Sequence, residues 1–135
     1  MKQQPLTEEE RIQLVTYRLQ RAKETLAEAD SLINSSFYNA AISRLYYACY
    51  YAVISLLIKN NISARTHQGI KNMFSLHFIA NGKIDKQQAF FYGRLFNDRI
   101  SGDYDDFVQY TSEMVNIVRS QAEEFITAIE NEIIK

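Results

Sequence analysis

One proline and four glycines in 135 residues are too few for a chain of strands and tight turns. The breakers that exist are confined to a few places, which predicts long helices. A single cysteine, Cys49, excludes an internal disulfide and fits a reducing compartment. The net charge of −1 sets up no global field for nucleic acid, so any RNA contact has to come from a local patch. The longest nearly apolar run, Leu45 to Ile58, falls short of the roughly 20 residues that cross a bilayer. The first residues, MKQQPLTEEE, are polar and acidic and do not read as a secretory leader. The only histidines are His67 and His77, ten apart, which is not the spacing of a helical metal pair, and no Cys-x-x-Cys accompanies them. A glycine-rich phosphate loop and a Gly-x-Ser-x-Gly elbow are also absent. These absences predict a soluble, cytoplasmic chain without metal, cofactor or membrane contact.

What is present is a core. Hydrophobic residues make up 47 %, enough for one folded domain over residues 1–135 with its body at about 8–133. Its centre is the stretch 36–59, which has no Pro or Gly and reads as the central helix of a bundle. At 100° per residue, Ile42, Tyr46, Cys49, Val53, Leu56 and Leu57 share one side, and Arg44, Tyr47, Tyr51 and Ser55 share another. The first side is expected in the core. The second is a polar-tipped stripe that needs a partner.

Upstream, Thr7 and Glu10 have the spacing of a capping box. Ile12, Val15, Leu19, Ala22, Leu26, Ala29 and Ile33 follow as an apolar seam. The short Asn34-Ser35-Ser36 link makes helices one and two an antiparallel hairpin. Downstream, Thr66 caps a third helix with Ile70, Met73, Phe74 and Leu76 inward, stopped by Asn81-Gly82, and His77 falls at the core edge. A fourth helix begins at Asp85, carries Phe90, Phe91, Leu95, Phe96 and Ile100, and ends at Gly102. A fifth begins at Asp105 or Asp106 with Phe107, Met114, Ile117, Phe125, Ile129 and Ile133 at helical spacing. The predicted helices are 8–33, 37–59, 67–80, 86–101 and 106–133, an all-α, up-and-down antiparallel bundle of four helices with one additional short helix.

Two places are candidates for binding. Arg65, Thr66, His67 and Lys71, with Lys59 across the loop, surround a helix N-terminus, where free N–H groups attract anions; the plainer reading is that Thr66 only caps and His67 meets solvent. Arg44, on the stripe with Tyr47 and Tyr51, either pairs with a carboxylate, Asp103 or Asp98, or extends to a surface groove. Arg94 and Arg99 lie five apart on helix four, near Asp98, Asp103 and Tyr104.

These segments also resemble a known family. Ala41-Ile42-Ser43-Arg44-Leu45-Tyr46-Tyr47-Ala48 is similar to the second helix of the HEPN superfamily of small helical bundles. Thr66-His67-Gln68-Gly69 followed by Phe74 resembles its third-helix motif, and Arg99-Ile100-Ser101-Gly102-Asp103-Tyr104 its fourth-helix ending. The resemblance covers about residues 10–130 and is to the short, single-domain branch. It implies a four-to-five-helix bundle, often a homodimer, frequently the partner of a minimal nucleotidyltransferase and often the toxin of a toxin–antitoxin pair. Active members are metal-independent endoribonucleases with Arg, four to six residues, then His at a helix end. No Arg of this chain is followed by His at that distance. The resemblance therefore implies a non-catalytic or degenerate partner that binds nucleotide or RNA. The alternatives are a ribonuclease with a rewired site, using Arg99, Tyr104, or Arg44 with His67, and a purely structural dimer. Phe90, Phe91, Tyr92 and Phe96 spread more widely around helix four than one buried face requires, which also predicts a homodimer.

Overall fold

Thr7 opens the first helix as the sequence predicts. Its hydroxyl accepts the Glu10 N–H at 3.1 Å, and the Glu10 carboxylate accepts the Thr7 N–H at 2.9 Å, so two orphan donors of the helix end are satisfied. The structure is a computed structural model that describes residues 5–104 and 109–135, without the side chains of 100–104. It contains α1 (Glu8–Asn34), α2 (Tyr38–Lys59), α3 (His67–Phe74, continued by a π-helical turn, Ser75–Ile79), α4 (Lys86–Tyr104) and α5 (Ser112–Ile134). The described residues contain no strand, and the all-α bundle is as expected.

Between α1 and α2 the chain reverses through Ser36, whose φ of 64° lies in the left-handed region. The Phe37 N–H returns to the Leu32 carbonyl at 2.8 Å. The two helices then run antiparallel, and two side-chain bonds pin their register. Ser55 Oγ donates to the Val15 carbonyl at 2.8 Å, and Arg11 donates to the Ile58 carbonyl at 3.1 Å. The contact is lined with small residues, Ala22, Thr25 and Ala29 from α1 and Ala41, Ala48 and Ala52 from α2, all fully buried. The whole predicted core side of α2 is buried, Ile42, Tyr46, Cys49, Val53, Leu56 and Leu57 included. Burial pushes the Cys49 thiol far up from its ordinary pKa. By length and hydropathy Tyr38–Lys59 would suffice to cross a membrane, contrary to the reading of its apolar run as too short, but 61 % of its most apolar window is buried by the other helices. Helix α5 lies mainly along α2 and α4 crosses it as well, so α2 is covered from several sides.

Several expected faces are turned differently. Ile12 stands 58 % exposed at the start of the α1 seam, although the last turn of α2 still lies alongside, where Arg11 reaches the Ile58 carbonyl. Leu76 is 60 % exposed and His77 is exposed, while Phe78 is buried. The π turn accounts for His77 and Phe78, since i→i+5 bonding adds a residue to one turn and rotates everything after it; Leu76, about 200° from Phe74 at helical spacing, lies off the inward face in a regular helix as well. On α4 the inward residues are Tyr92 and Leu95, and Phe90 is 72 % exposed. Gly102 does not stop α4, which continues to Tyr104. Helix α5 starts at Ser112, where the Thr111 hydroxyl accepts the Met114 N–H at 3.2 Å. The proposed starts at Asp105 and Asp106, and Phe107, lie outside the described residues. Met114 and Ile117 are exposed, and Val115, Ala122, Phe125, Ile126 and Ile129 form the inward face of α5.

The alanine-lined contact between α1 and α2 leaves no room for a larger side chain. Ala22→Leu is expected to destabilise the fold by about 1–3 kcal/mol, whereas Ala27→Leu, on the exposed face of the same helix, should stay within about 0.5 kcal/mol. Urea unfolding of both variants tests this, and equal losses would contradict close α1–α2 packing.

Candidate functional site

The tyrosines of α2 build one side of a polar cluster. Tyr46 is fully buried and stacks on Tyr92 of α4, centroids 5.9 Å apart at 14°. Tyr47, Tyr50 and Tyr51 are half-buried beside it. The Thr66 hydroxyl accepts the Gly69 N–H at 2.9 Å and starts α3 so that His67, its first residue, falls against these rings. A Cβ on Gly69 would meet that hydroxyl at 2.9 Å, so a side chain there would crowd the cap. His67 stacks on Tyr50, centroids 4.3 Å apart at 18°, and its Nδ1 lies 2.7 Å from the Tyr46 hydroxyl. From α4, Arg99 places its guanidinium 4.9 Å above the Tyr46 ring and 5.5 Å from the Phe96 ring, a cation–π arrangement. It also donates to the Tyr47 hydroxyl at 3.4 Å.

Helix α1 contributes two more cations. Arg21 sits 5.6 Å from the Tyr51 ring and pairs with Glu24 at 2.9 Å. One turn along α1 from Val15, the register set by Ser55 brings Arg18 level with Tyr50 and Tyr51. Nε of Arg18 and Nε of Arg99 are both buried without a hydrogen-bond partner, and neither guanidinium meets a carboxylate among the described residues. Arg11, Arg21, Arg44 and Arg119, by contrast, all do.

The electrostatics follow from this placement. Burial, and then the Arg99 cation, hold the His67 imidazole below its ordinary pKa, so it is neutral near neutral pH. Burial pushes the Tyr46 phenol up to about 12. Burial and the neighbouring Tyr47 also raise Tyr50, while the Arg18 and Arg99 cations pull it back down.

The structure brings together His67, Tyr47, Tyr51 and Arg99 of the residues singled out in the sequence. Lys71 joins at the edge, its ammonium 5.4 Å from the Phe96 ring. Arg65 is exposed on the loop. Thr66 is spent on its cap. The side chains of Asp103 and Tyr104 lie outside the described residues. Arg44 does not pair with Asp98. It meets Glu28 of α1 at 3.5 Å and lies 5.1 Å from the Tyr47 ring, with both charged side chains partly exposed. The hairpin register explains the exchange, since it sets the Glu28 turn of α1 opposite the start of α2. The sequence reading missed Arg18, Tyr46, Tyr50, Tyr92 and Phe96. Tyr46 carried a signal: a tyrosine on the core side of α2 buries a hydroxyl that requires a partner, and an imidazole can supply one. Among the described residues no group of acidic, histidine and cysteine side chains could hold a metal ion.

Known proteins share this sequence along most of its length. A family model described as the HEPN domain matches residues 15–132. A UPF0332 protein of Thermotoga maritima is 35 % identical over 121 residues, covering 90 % of this chain and 92 % of its own. Two proteins of Methanocaldococcus jannaschii named "Putative toxin" are 32 % identical, over 70 % of this chain and 65 % of the relative, and 31 % identical, over 80 % of each.

Because the Arg44–Glu28 pair is partly exposed, Arg44→Ala should cost less than about 1 kcal/mol in chemical unfolding; a loss of several kcal/mol would show a buried partner. His67 gives a pH dependence of known sign. Its folded-state pKa is lowered from 6.5, so the unfolded chain takes up the proton first as pH falls. The stability associated with the neutral imidazole is complete above about 6.5 and is lost as pH falls from there through the lower folded-state pKa. Melting temperatures should therefore drop more steeply on acidification for the wild type than for His67→Gln, and parallel profiles would count against the lowered pKa.

Proposed function

The chain belongs to the HEPN family, and on that premise we propose that it is the binding, non-cleaving partner in a toxin–antitoxin-like pair, holding the phosphate of RNA or a nucleotide at the tyrosine–arginine–histidine cluster. One observation carries the reading: Arg18 and Arg99 enter the cluster from two helices with buried Nε atoms that have no partner among the described residues. A guanidinium half out of water and without an anion is costly, and phosphate oxygens match its fork of donors. The toxin names of two relatives support the biological setting, and the resemblance described above supports a minimal nucleotidyltransferase as the protein partner.

In the same proposal the working unit is a homodimer. Between α4 and α5 runs a groove of about 690 Å³ lined by Phe90, Phe91, Leu95, Met114, Ile117 and Val118 among others. Phe90, Met114 and Ile117 are all exposed along it. Exposed aromatic and aliphatic side chains gathered on one face favour a second copy of the chain as the occupant.

A second reading is favoured by a separate observation. His67, neutral near neutral pH, stands in the field of Arg99, and an imidazole beside a guanidinium is a combination suited to metal-independent RNA cleavage. The two readings part in one experiment. Fluorescence anisotropy with a single-stranded RNA oligonucleotide is expected to show salt-dependent binding. Arg18→Ala and Arg99→Ala should each weaken it about tenfold and reduce the slope of log affinity against log salt by about 0.7. Unchanged affinity in both variants would sink the phosphate site. RNA cleavage in the same samples, abolished by His67→Ala, would replace the first reading with the second.

A further inference from the structure

One aromatic ring beside the cluster has no part in the core. Tyr17 of α1 is 55 % exposed, and the Arg18 guanidinium lies over its ring, 5.8 Å from the centroid. A lone exposed aromatic side chain on a surface helix needs no explanation by itself. Phe37 and Phe90 are at least as exposed, but the first sits at the hairpin turn and the second on the α4–α5 groove. Tyr17 differs in its neighbour. The cation it touches is one of the two whose Nε atoms are buried without a partner among the described residues.

The surroundings repeat the same pairing of ring and cation. Tyr17, Arg18 and Arg21 share a sector of about 100° on α1. Arg21 lies 5.6 Å from the Tyr51 ring, and Arg18 stands level with Tyr50, which stacks on His67. From α4, Arg99 rests 4.9 Å above the Tyr46 ring and donates to the Tyr47 hydroxyl. Cations and rings therefore alternate from α1 across the half-buried side of α2 to α4. A surface that binds a single strand has this composition: cations for the phosphates, ring faces for the bases. The inner rings are already occupied. Tyr46 is fully buried against Tyr92, Tyr50 holds His67, and Tyr51 holds Arg21. Tyr17, at the outer end, has more than half of its surface free.

We propose that Tyr17 is a base-stacking residue, and that the ligand of the cluster is a single-stranded nucleic acid with an unpaired base on this ring and its phosphates at Arg18 and Arg99. The proposal rests on the phosphate-binding reading above and narrows its ligand to a strand. A duplex hides its base faces in its own stack and offers Tyr17 nothing beyond phosphate contacts. A free nucleotide brings its phosphates in one place, whereas Arg18 and Arg99 arrive from different helices, α1 and α4. A strand supplies a base to Tyr17 and separate phosphates to the two cations. The stack tolerates any base, because every base has a π-face.

Fluorescence anisotropy of the full chain with single-stranded and double-stranded RNA of equal length tests this. Because Tyr17 is exposed, its variants leave the core intact. Tyr17→Ala is expected to weaken binding of the single strand about tenfold and to leave the duplex within about twofold. Tyr17→Phe keeps the ring and should stay within about threefold of the wild type. The slope of log affinity against log salt should be the same for Tyr17→Ala as for the wild type, since a ring neutralises no phosphate. A single strand that binds Tyr17→Ala as tightly as the wild type, an equal loss for the duplex, or a reduced salt slope overturns the stacking role. A mononucleotide that binds as tightly as the oligonucleotide overturns the strand as ligand. A DNA strand of the same sequence reads the part played by the sugar, and the stacking role requires the Tyr17 loss in whichever strand binds. If no single strand binds the wild type, the phosphate reading and this one fall together. If Arg18→Ala and Arg99→Ala weaken binding and Tyr17→Ala does not, the phosphate site stands and the stacking role alone falls.

Discussion

A helix that is apolar around most of its circumference has to be covered on every side, and α2 is such a helix. Eleven of its residues are buried, so no single partner can satisfy it. Helix α1 takes one side by close approach over alanines, α5 takes another along its length, and α4 with the start of α3 closes what remains. The order of elements in the bundle follows from this one requirement. So does the economy of its turns, because short links suffice between neighbours that run antiparallel.

The same requirement creates the cluster. Covering α2 with α4 drives Tyr46 and Tyr92 into the core, each with a hydroxyl that has to be satisfied. The half-buried side of α2 meets α1 and α3 at their polar residues. Aromatic rings then provide the faces on which guanidinium groups rest at reduced hydration. Hydrophobic burial and the binding chemistry are therefore two aspects of the same packing, and a change that loosens α2 would disturb both.

Much of this was legible beforehand, for physical reasons that can be named. The buried side of α2 could be read because its residues repeat at helical spacing over many turns without a breaker. The caps at Thr7 and Thr66 could be read because capping is local chemistry between residues three apart. The failures have equally specific causes. A π turn shifts the phase of every later residue, and nothing in Ser75–Ile79 announces one, so Phe78 takes the inward place that regular spacing gives His77. Gly102 was read as a stop because glycine weakens helices, yet the cost of about 1 kcal/mol relative to alanine is one a packed helix can carry. Of the cluster, Tyr47, Tyr51, His67 and Arg99 stood out in the sequence as polar residues beside apolar runs. Arg18 did not, since a cation on the flank of an amphipathic helix looks the same whether it faces water or a neighbouring ring. Its partner for Arg44, Glu28, is set by the register of the hairpin, which depends on atoms of Ser55 and Val15 that sequence spacing does not reveal.

Cys49 occupies the middle of α2 with no exposed surface, and it is the single thiol of the chain. A thiol reagent in water has no path to it while the helices stay together, and its raised pKa keeps it in the unreactive protonated form. Modification therefore waits for the bundle to part around α2. The rate at which a reagent consumes this sulfur counts those openings and converts them into a free energy of exposure, without any label having been introduced. The protein thus carries an internal clock for the breathing of its own core.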